Sequence, residues 1–174
     1  MQLRDAIALI QHDERYPARP STWADLGCGT GLFTRALASL LQPGSLIYGI
    51  DMNKASLSTV SKYEDVTIQP VCQDFIRDEW PFERIDGLLM ANSLHYVQDK
   101  RTLIDKIQGY LVESGSLLLV EYDTDVANPW VPYPLSYYTL ANLFKKAGFT
   151  SIEKLQEMPS RYGSANLYAT YIRR

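Results

Sequence analysis

Cysteine and histidine are scarce in this 174-residue chain. Its two cysteines, Cys28 and Cys72, lack the paired spacing of a zinc site and are too few for a disulfide framework. Both read as reduced thiols. With His12 and His95 as the two histidines, no histidine-based metal cluster is expected, and no metal is assigned. Long apolar runs are also missing: nothing approaches the roughly 18 uninterrupted residues of a spanning helix. The first residues carry Arg4 and Asp5 and no small-residue cleavage site behind an apolar block, so they do not read as a secretory signal. The expectation is a cytoplasmic protein with no membrane partner. Runs of Lys or Arg are absent as well, and the net charge is -3, so nothing draws the chain to phosphate backbones and nucleic acid is not an expected partner.

What is present is an ordinary globular composition, 46% hydrophobic and 21% charged, long enough to close one sizeable core. One domain over residues 1–174 is expected. Leu3, Ala6, Ile7 and Ile10 recur at helical spacing, predicting a helix over residues 2–12 that the prolines of "RYPARPS" end. Apolar runs "TWADLG", "SLIYGID", "VTIQPVCQD", "IDGLLMAN" and "SGSLLLVEYD" read as five buried strands, the last bounded by Gly115 and Asp123. Between them fall the helical patterns "GLFTRALASLL", residues 54–63 and "DKRTLIDKIQGYL". Continuous apolar strands alternating with helices predict an α/β fold, a Rossmann-like open sheet covered by helices on both faces. After the proline- and aromatic-rich stretch "DTDVANPWVPYPLSYY" comes a helix stopped by Gly148. Two further strands, "TSIEKLQEM" and "NLYATYIRR", have no helix between them. Strands joined so briefly run antiparallel, so a mostly parallel sheet with a C-terminal antiparallel hairpin is predicted.

The segment "STWADLGCGTGLFTRAL" passes from strand to helix through Gly27, Gly29 and Gly31. Bare backbone there lets a ligand lie against the turn, and glycine permits positive φ. Asp25 stands two residues ahead, near the carboxyl end of the first strand, where a carboxylate can hold a cationic amino group. Asp51 follows at the end of the second strand, placed to accept hydrogen bonds from ribose hydroxyls. Together they describe a ligand with a ribose at one end and a positive group at the other. A dinucleotide fingerprint has one more residue between its second and third glycines and does not require Asp25. A P-loop would end in Gly-Lys-Ser/Thr, which is not found here.

The series "WADLGCGTG", "IYGIDMN", "VCQDF" and "IDGLLMANSLHYV" resembles, in order and spacing, the motifs of class I S-adenosylmethionine-dependent methyltransferases, especially the small-molecule group labelled type 11. The likeness runs from about Thr22 to Asp123. It implies S-adenosyl-L-methionine as cofactor, with Asp25, Gly27, Gly29 and Gly31 at its methionine end and Asp51 on the ribose. It also implies Met52 against the adenine, Asp74 near the adenine amino group, Phe75 beside the ring, and Asn92 and Ser93 along the sulfonium and amino-acid portion. Each has a plainer alternative: Asp74 as a helix cap, Met52 and Phe75 as core.

Methyl transfer from a sulfonium needs an in-line nucleophile held close and dry, and a base when the nucleophile is protonated. His95, just past the fourth strand, is the candidate base, because imidazole is the side chain suited to taking a proton near neutral pH; its alternative is packing at the loop. Tyr96 and Glu121 are candidates for the acceptor rim, and Trp130, Tyr133 and Tyr137 for an aromatic acceptor wall, with a dimer contact as the alternative. Tyr16 is a candidate lid. The pattern Met-Ala-Asn-Ser after strand four departs from that of enzymes acting on nucleobase amino groups, and the expected partner is a small-molecule acceptor, with the chain a monomer or homodimer. A catalytically silent cofactor-binding module, or a partner subunit of another methyltransferase, is the alternative reading.

Overall fold

Strand β1 (Thr22–Leu26) lies between β2 (Leu46–Asp51) and β4 (Ile85–Ala91) and runs parallel to both. In the computed structural model, which describes residues 1–12, 16–57, 59, 63–160 and 165–174, these strands belong to one seven-stranded sheet. Its order is β3–β2–β1–β4–β5–β7–β6, with β3 at Thr67–Cys72, β5 at Leu111–Tyr122, β6 at Ser151–Pro159 and β7 at Asn166–Arg173. β7 is antiparallel to both β5 and β6, so it alone runs against the rest. This is the predicted mostly parallel sheet closed by a C-terminal hairpin.

Side chains alternate across each central strand, and both faces are buried. Ala24 and Leu26, Leu88 and Met90, and Leu117 and Leu119 point into one layer. There they meet Leu103, Ile104 and Ile107 of α4 (Lys100–Tyr110) and Leu140 and Phe144 of α5 (Tyr137–Lys146). Trp23, Leu89, Leu118 and Val120 point into the other. They meet Ala6, Leu9 and Ile10 of α1 (Leu3–Ile10) and Phe33, Ala36 and Leu37 of α2 (Leu32–Ala38). Each buried Leu- or Phe-sized side chain contributes about 1.5–3 kcal/mol relative to exposure. Caps set the helix starts: the Asp99 carboxylate accepts from Thr102 N and the Ser136 hydroxyl from Thr139 N. Gly148, at φ +94°, follows α5 as its predicted stop.

Two expectations change. The helix predicted over residues 54–63 is the single turn α3 (Lys54–Leu57), and Tyr63 instead forms an antiparallel bridge with Val66; residues 58 and 60–62 lie outside the described ones. Gly115 sits inside β5 rather than at its start. A side chain there would come within 2.7 Å of Leu111 Cδ2, so the glycine serves close packing where the strand's register shifts against β4. Among the described residues, no helix is long and apolar enough to cross a membrane.

Candidate functional site

The sheet order reverses its direction of growth between β1 and β4, the place where an open α/β sheet presents its ligand crevice. The chain leaves β1 still attached to β2, with Gly27 N and Cys28 N both donating to Ile50 O at 2.8 and 3.0 Å. It then turns through Gly27, Gly29 and Gly31, all in the left-handed region at φ +75°, +52° and +77°. The first two glycines answer different needs. A side chain on Gly27 would come within 2.6 Å of Ser93 Cβ, at the end of β4, whereas one on Gly29 would meet no atom within 4 Å. Gly27 therefore closes the two strand ends together, and Gly29 leaves a bare surface. Asp51 fixes that surface: its Oδ2 accepts from Gly29 N and its Oδ1 from Asn53 N, both at 2.8 Å.

Two buried oxygens beside this turn have no protein partner. Asp25 is 1% exposed; Thr34 donates its hydroxyl to Oδ2 at 2.6 Å, and Oδ1 is unpaired. Burial pushes the Asp25 carboxyl up to about 7, the Thr34 hydroxyl opposes that rise, and the nearby charge of Asp51 adds to it. Asn92 adopts φ +55° and donates its backbone N–H to Val120 O at 2.8 Å, while its buried Oδ1 has no partner. Leaving such an oxygen unpaired costs about 1–3 kcal/mol, which a ligand bearing N–H donors would recover. Ser93 is buried and donates its hydroxyl to Leu26 O at 2.6 Å, tying β4 to β1.

At the far side of the turn Met52 is 72% exposed, so it is not core. Phe75 packs half-buried against the core, its Cε1 3.4 Å from where a Gly27 side chain would begin. Asp74 closes a turn rather than capping a helix: its Oδ1 accepts from Ile76 N at 2.9 Å and Arg77 N at 3.4 Å. The bare glycine surface, the two unpaired oxygens and an exposed thioether beside Asp51 fit a nucleoside that carries a cationic amino acid.

Beyond Asn92 opens a cavity of about 880 Å³, walled by His95, Tyr96, Tyr122, Val126 and Trp130 among others. His95 rides on a single 3-10 turn (Leu94–Tyr96) that is held from two sides. From β5, Glu121 Oε1 accepts from Leu94 N and His95 N at 2.8 and 3.2 Å, and Oε2 lies 2.6 Å from His95 Nδ1. From the aromatic loop, Tyr133 N donates to His95 O at 3.0 Å, and the buried Lys100 ammonium donates to Val97 O and Tyr133 O at 2.7 Å each. Burial lowers the Lys100 pKa; the charge of Glu121 works against that fall.

The predicted acceptor residues therefore separate. Trp130, 81% exposed, and Tyr96 reach the cavity. Glu121 does not form its rim: it is 1% exposed and spent on His95 and the turn. Tyr133 lines a separate cavity of about 390 Å³ with Asp74 and Arg77. Tyr137 points away from both, its ring edge-on to Tyr168 and its backbone N–H on Asp123, because it opens α5 against the core. Tyr16 lies at the opposite end of the sheet. Its hydroxyl donates to Ile10 O, its ring packs on Trp23, and it shares a cavity with Asp86 and Arg173. The sequence reading missed Thr34 and Lys100. A threonine among the buried residues of the helix after the glycines is a usable signal for the first, whereas Lys100 binds backbone carbonyls that no side-chain pattern reveals.

Among solved structures, the chain is similar to Burkholderia thailandensis 1,6-didemethyltoxoflavin-N1-methyltransferase, at TM-score 0.72 and 22% identity, covering 99% of this chain and 77% of that one. It is also similar to Haemonchus contortus phosphoethanolamine N-methyltransferase 2, at TM-score 0.76 and 16% identity, covering 98% and 52%. These likenesses show the fold. A relative from Pseudomonas aeruginosa, trans-aconitate 2-methyltransferase, is 32% identical over 121 residues, 67% of this chain and 41% of that protein. The chain spans about two fifths to just over half the length of the curated relatives it matches first. Residues 24–119, more than half of the chain and all of the glycine turn, match the family model for the type 11 methyltransferase domain. The chain belongs to that methyltransferase domain family.

Proposed function

We infer that this chain is a methyltransferase that takes its methyl group from S-adenosylmethionine and passes it to a small-molecule acceptor in the cavity beside His95. The observation that carries this reading is the pair of unpaired oxygens on Asp25 and Asn92, which flank the glycine turn while Asn92 also lines the acceptor cavity. A cationic amino group against Asp25 offsets the cost of burying that carboxylate. Gly27, Gly29 and Gly31 admit the methionine end, and Asp51 accepts from the ribose hydroxyls. Met52 and Phe75 flank the adenine with Asp74 near its amino group, and Asn92 and Ser93 border the sulfonium end. The sulfonium supplies a methyl on a good leaving group, so the protein's work is to align the acceptor, exclude water and receive any proton. The Burkholderia enzyme was crystallised with 1,6-didemethyltoxoflavin and S-adenosylhomocysteine bound, and the Pseudomonas relative is named for trans-aconitate; both support a small-molecule acceptor.

Calorimetric titration with S-adenosylhomocysteine tests the reading. Binding is expected, and Asp51→Ala should weaken it by about 1–3 kcal/mol through loss of charge-assisted hydrogen bonds. Neither heat nor a thermal shift from well-folded protein would overturn the assignment. Labelled methyl transfer to a metabolite extract separates an enzyme from a silent binding module.

A further inference from the structure

The surroundings of His95 narrow the acceptor, on the footing of the methyl transfer inferred above. We propose that the acceptor is an uncharged, flat molecule presenting a weakly acidic, phenol-like hydroxyl, and that Glu121 is the positioning residue that makes His95 its base. The imidazole is fixed. Its Nδ1 is 2.6 Å from a Glu121 oxygen, and both groups are almost fully buried, at 3% and 2% side-chain exposure. A carboxylate only accepts, so Nδ1 is the donor in this contact, and a neutral imidazole held this way has its lone pair on Nε2. Since His95 lines the acceptor cavity with Nδ1 turned to Glu121, Nε2 is the nitrogen left to face the acceptor.

The walls speak for the rest of the molecule. Trp130 and Tyr96 offer exposed aromatic surface, and the Tyr96 ring centroid is 4.3 Å from that of His95. No lysine, arginine or carboxylate is among the described lining residues. The Lys100 ammonium is committed to Val97 O and Tyr133 O, and the Glu121 carboxylate behind His95 repels an anionic acceptor. A polycarboxylate therefore fits poorly, whereas a neutral aromatic ring stacks on Trp130 or Tyr96 with its hydroxyl toward Nε2. In the reaction the acceptor oxygen bonds the methyl carbon as the carbon–sulfur bond breaks and its electron pair passes to sulfur. The hydroxyl proton moves to Nε2, and the resulting imidazolium is held by Glu121 until it releases the proton to water.

Glu121→Gln separates positioning from scaffolding. The amide oxygen can still accept from Leu94 N and His95 N, but its NH2 donates to Nδ1 and forces the proton onto Nε2, the wrong tautomer for a base. With labelled S-adenosylmethionine and a series of para-substituted phenols, wild type should methylate weakly acidic members such as 4-methylphenol. The variant should lose at least about 100-fold on these. On 4-nitrophenol, which is already ionised in mildly alkaline buffer and needs no base, the variant should match or exceed wild type, because losing the carboxylate also removes its repulsion of the phenolate. Equal losses on both phenols, or none, would overturn the role of Glu121. Transfer by wild type to trans-aconitate but to no phenol, or to neither, would overturn the acceptor class. In both cases S-adenosylhomocysteine binding decides separately whether the methyltransferase reading survives. Nitrogen-15 spectra of wild-type His95 give a check that needs no variant: a proton on Nε2 rather than Nδ1 refutes the proposal.

Discussion

Burial holds the Asp25 carboxyl at about 7 against an ordinary 3.8, so in the ligand-free protein it is largely protonated at pH 6 and half ionised at pH 7. A cationic amino group binds the ionised form, and binding at pH 6 must then expel close to one proton. For a single group of pKa about 7, the fraction ready to bind falls about fivefold from pH 7 to pH 6, a loss of roughly 1 kcal/mol in affinity. The assay is calorimetric titration with S-adenosylhomocysteine at both pH values, each in two buffers of different ionisation enthalpy, so that proton release appears as a buffer-dependent heat. Asp25→Asn should bind more weakly at both and lose the pH dependence. Stability supplies a second sign. A carboxyl raised in the folded state stabilises below its unfolded pKa, and that contribution is lost as pH climbs through about 7. The rise from 3.8 corresponds to on the order of 4 kcal/mol at most, so Asp25→Asn should raise the ligand-free melting temperature at pH 8 and change it little below pH 4. Equal affinity at pH 6 and 7 with no buffer-dependent heat would refute the pairing of Asp25 with a cation.

The glycine turn predicts a split between stability and binding. Gly27→Ala drives a methyl group onto Ser93 Cβ and should cost about 1–3 kcal/mol in denaturant unfolding. Gly29→Ala meets no atom and should cost only about 1 kcal/mol for its left-handed φ, yet it should lose most S-adenosylhomocysteine affinity. Lys100→Met leaves two carbonyls without their donor. It should destabilise by about 1–3 kcal/mol and speed hydrogen exchange at the Tyr133 amide, which bonds His95 O.

The fold was legible where one local rule governed each element. Strands β1, β2 and β4 are short apolar runs that end in Asp, Gly or Asn, and burial on both sheet faces leaves such runs no other place to go. The grouping of the residues proposed to hold the cofactor was legible for the same reason: Asp25, the glycines and Asp51 are arranged by one β–α–β unit, so their spacing survives in the linear sequence. The acceptor side was not. Glu121 and His95 meet across 26 positions because β4 and β5 are neighbours, and a glutamate at a strand end looks the same whether it faces solvent or a buried imidazole. Tyr137 resembled its loop neighbours in composition, but as the first residue of α5 it turns its ring onto Tyr168. Tyr16 precedes β1, and that end of a parallel strand lies a sheet's width from the crevice.

Both halves of the proposed site meet in four consecutive residues. Asn92 donates to Val120 of β5, Ser93 donates to Leu26 of β1, and Leu94 and His95 donate to Glu121 of β5. An asparagine suits the first position because the chain must bend there through φ +55°, which Asn tolerates better than a branched residue. Its Oδ1 is buried and unpaired, and the residue lines the cavity. The segment that would contact the sulfonium end thus also carries the imidazole, and it is bonded to the strand that begins the glycine turn. A shift of the base relative to the methyl donor would have to break hydrogen bonds to two strands at once. Misplacement by about 1 Å can cost on the order of 100-fold in rate, and this short, doubly anchored connection would hold the proposed donor and acceptor sites in register.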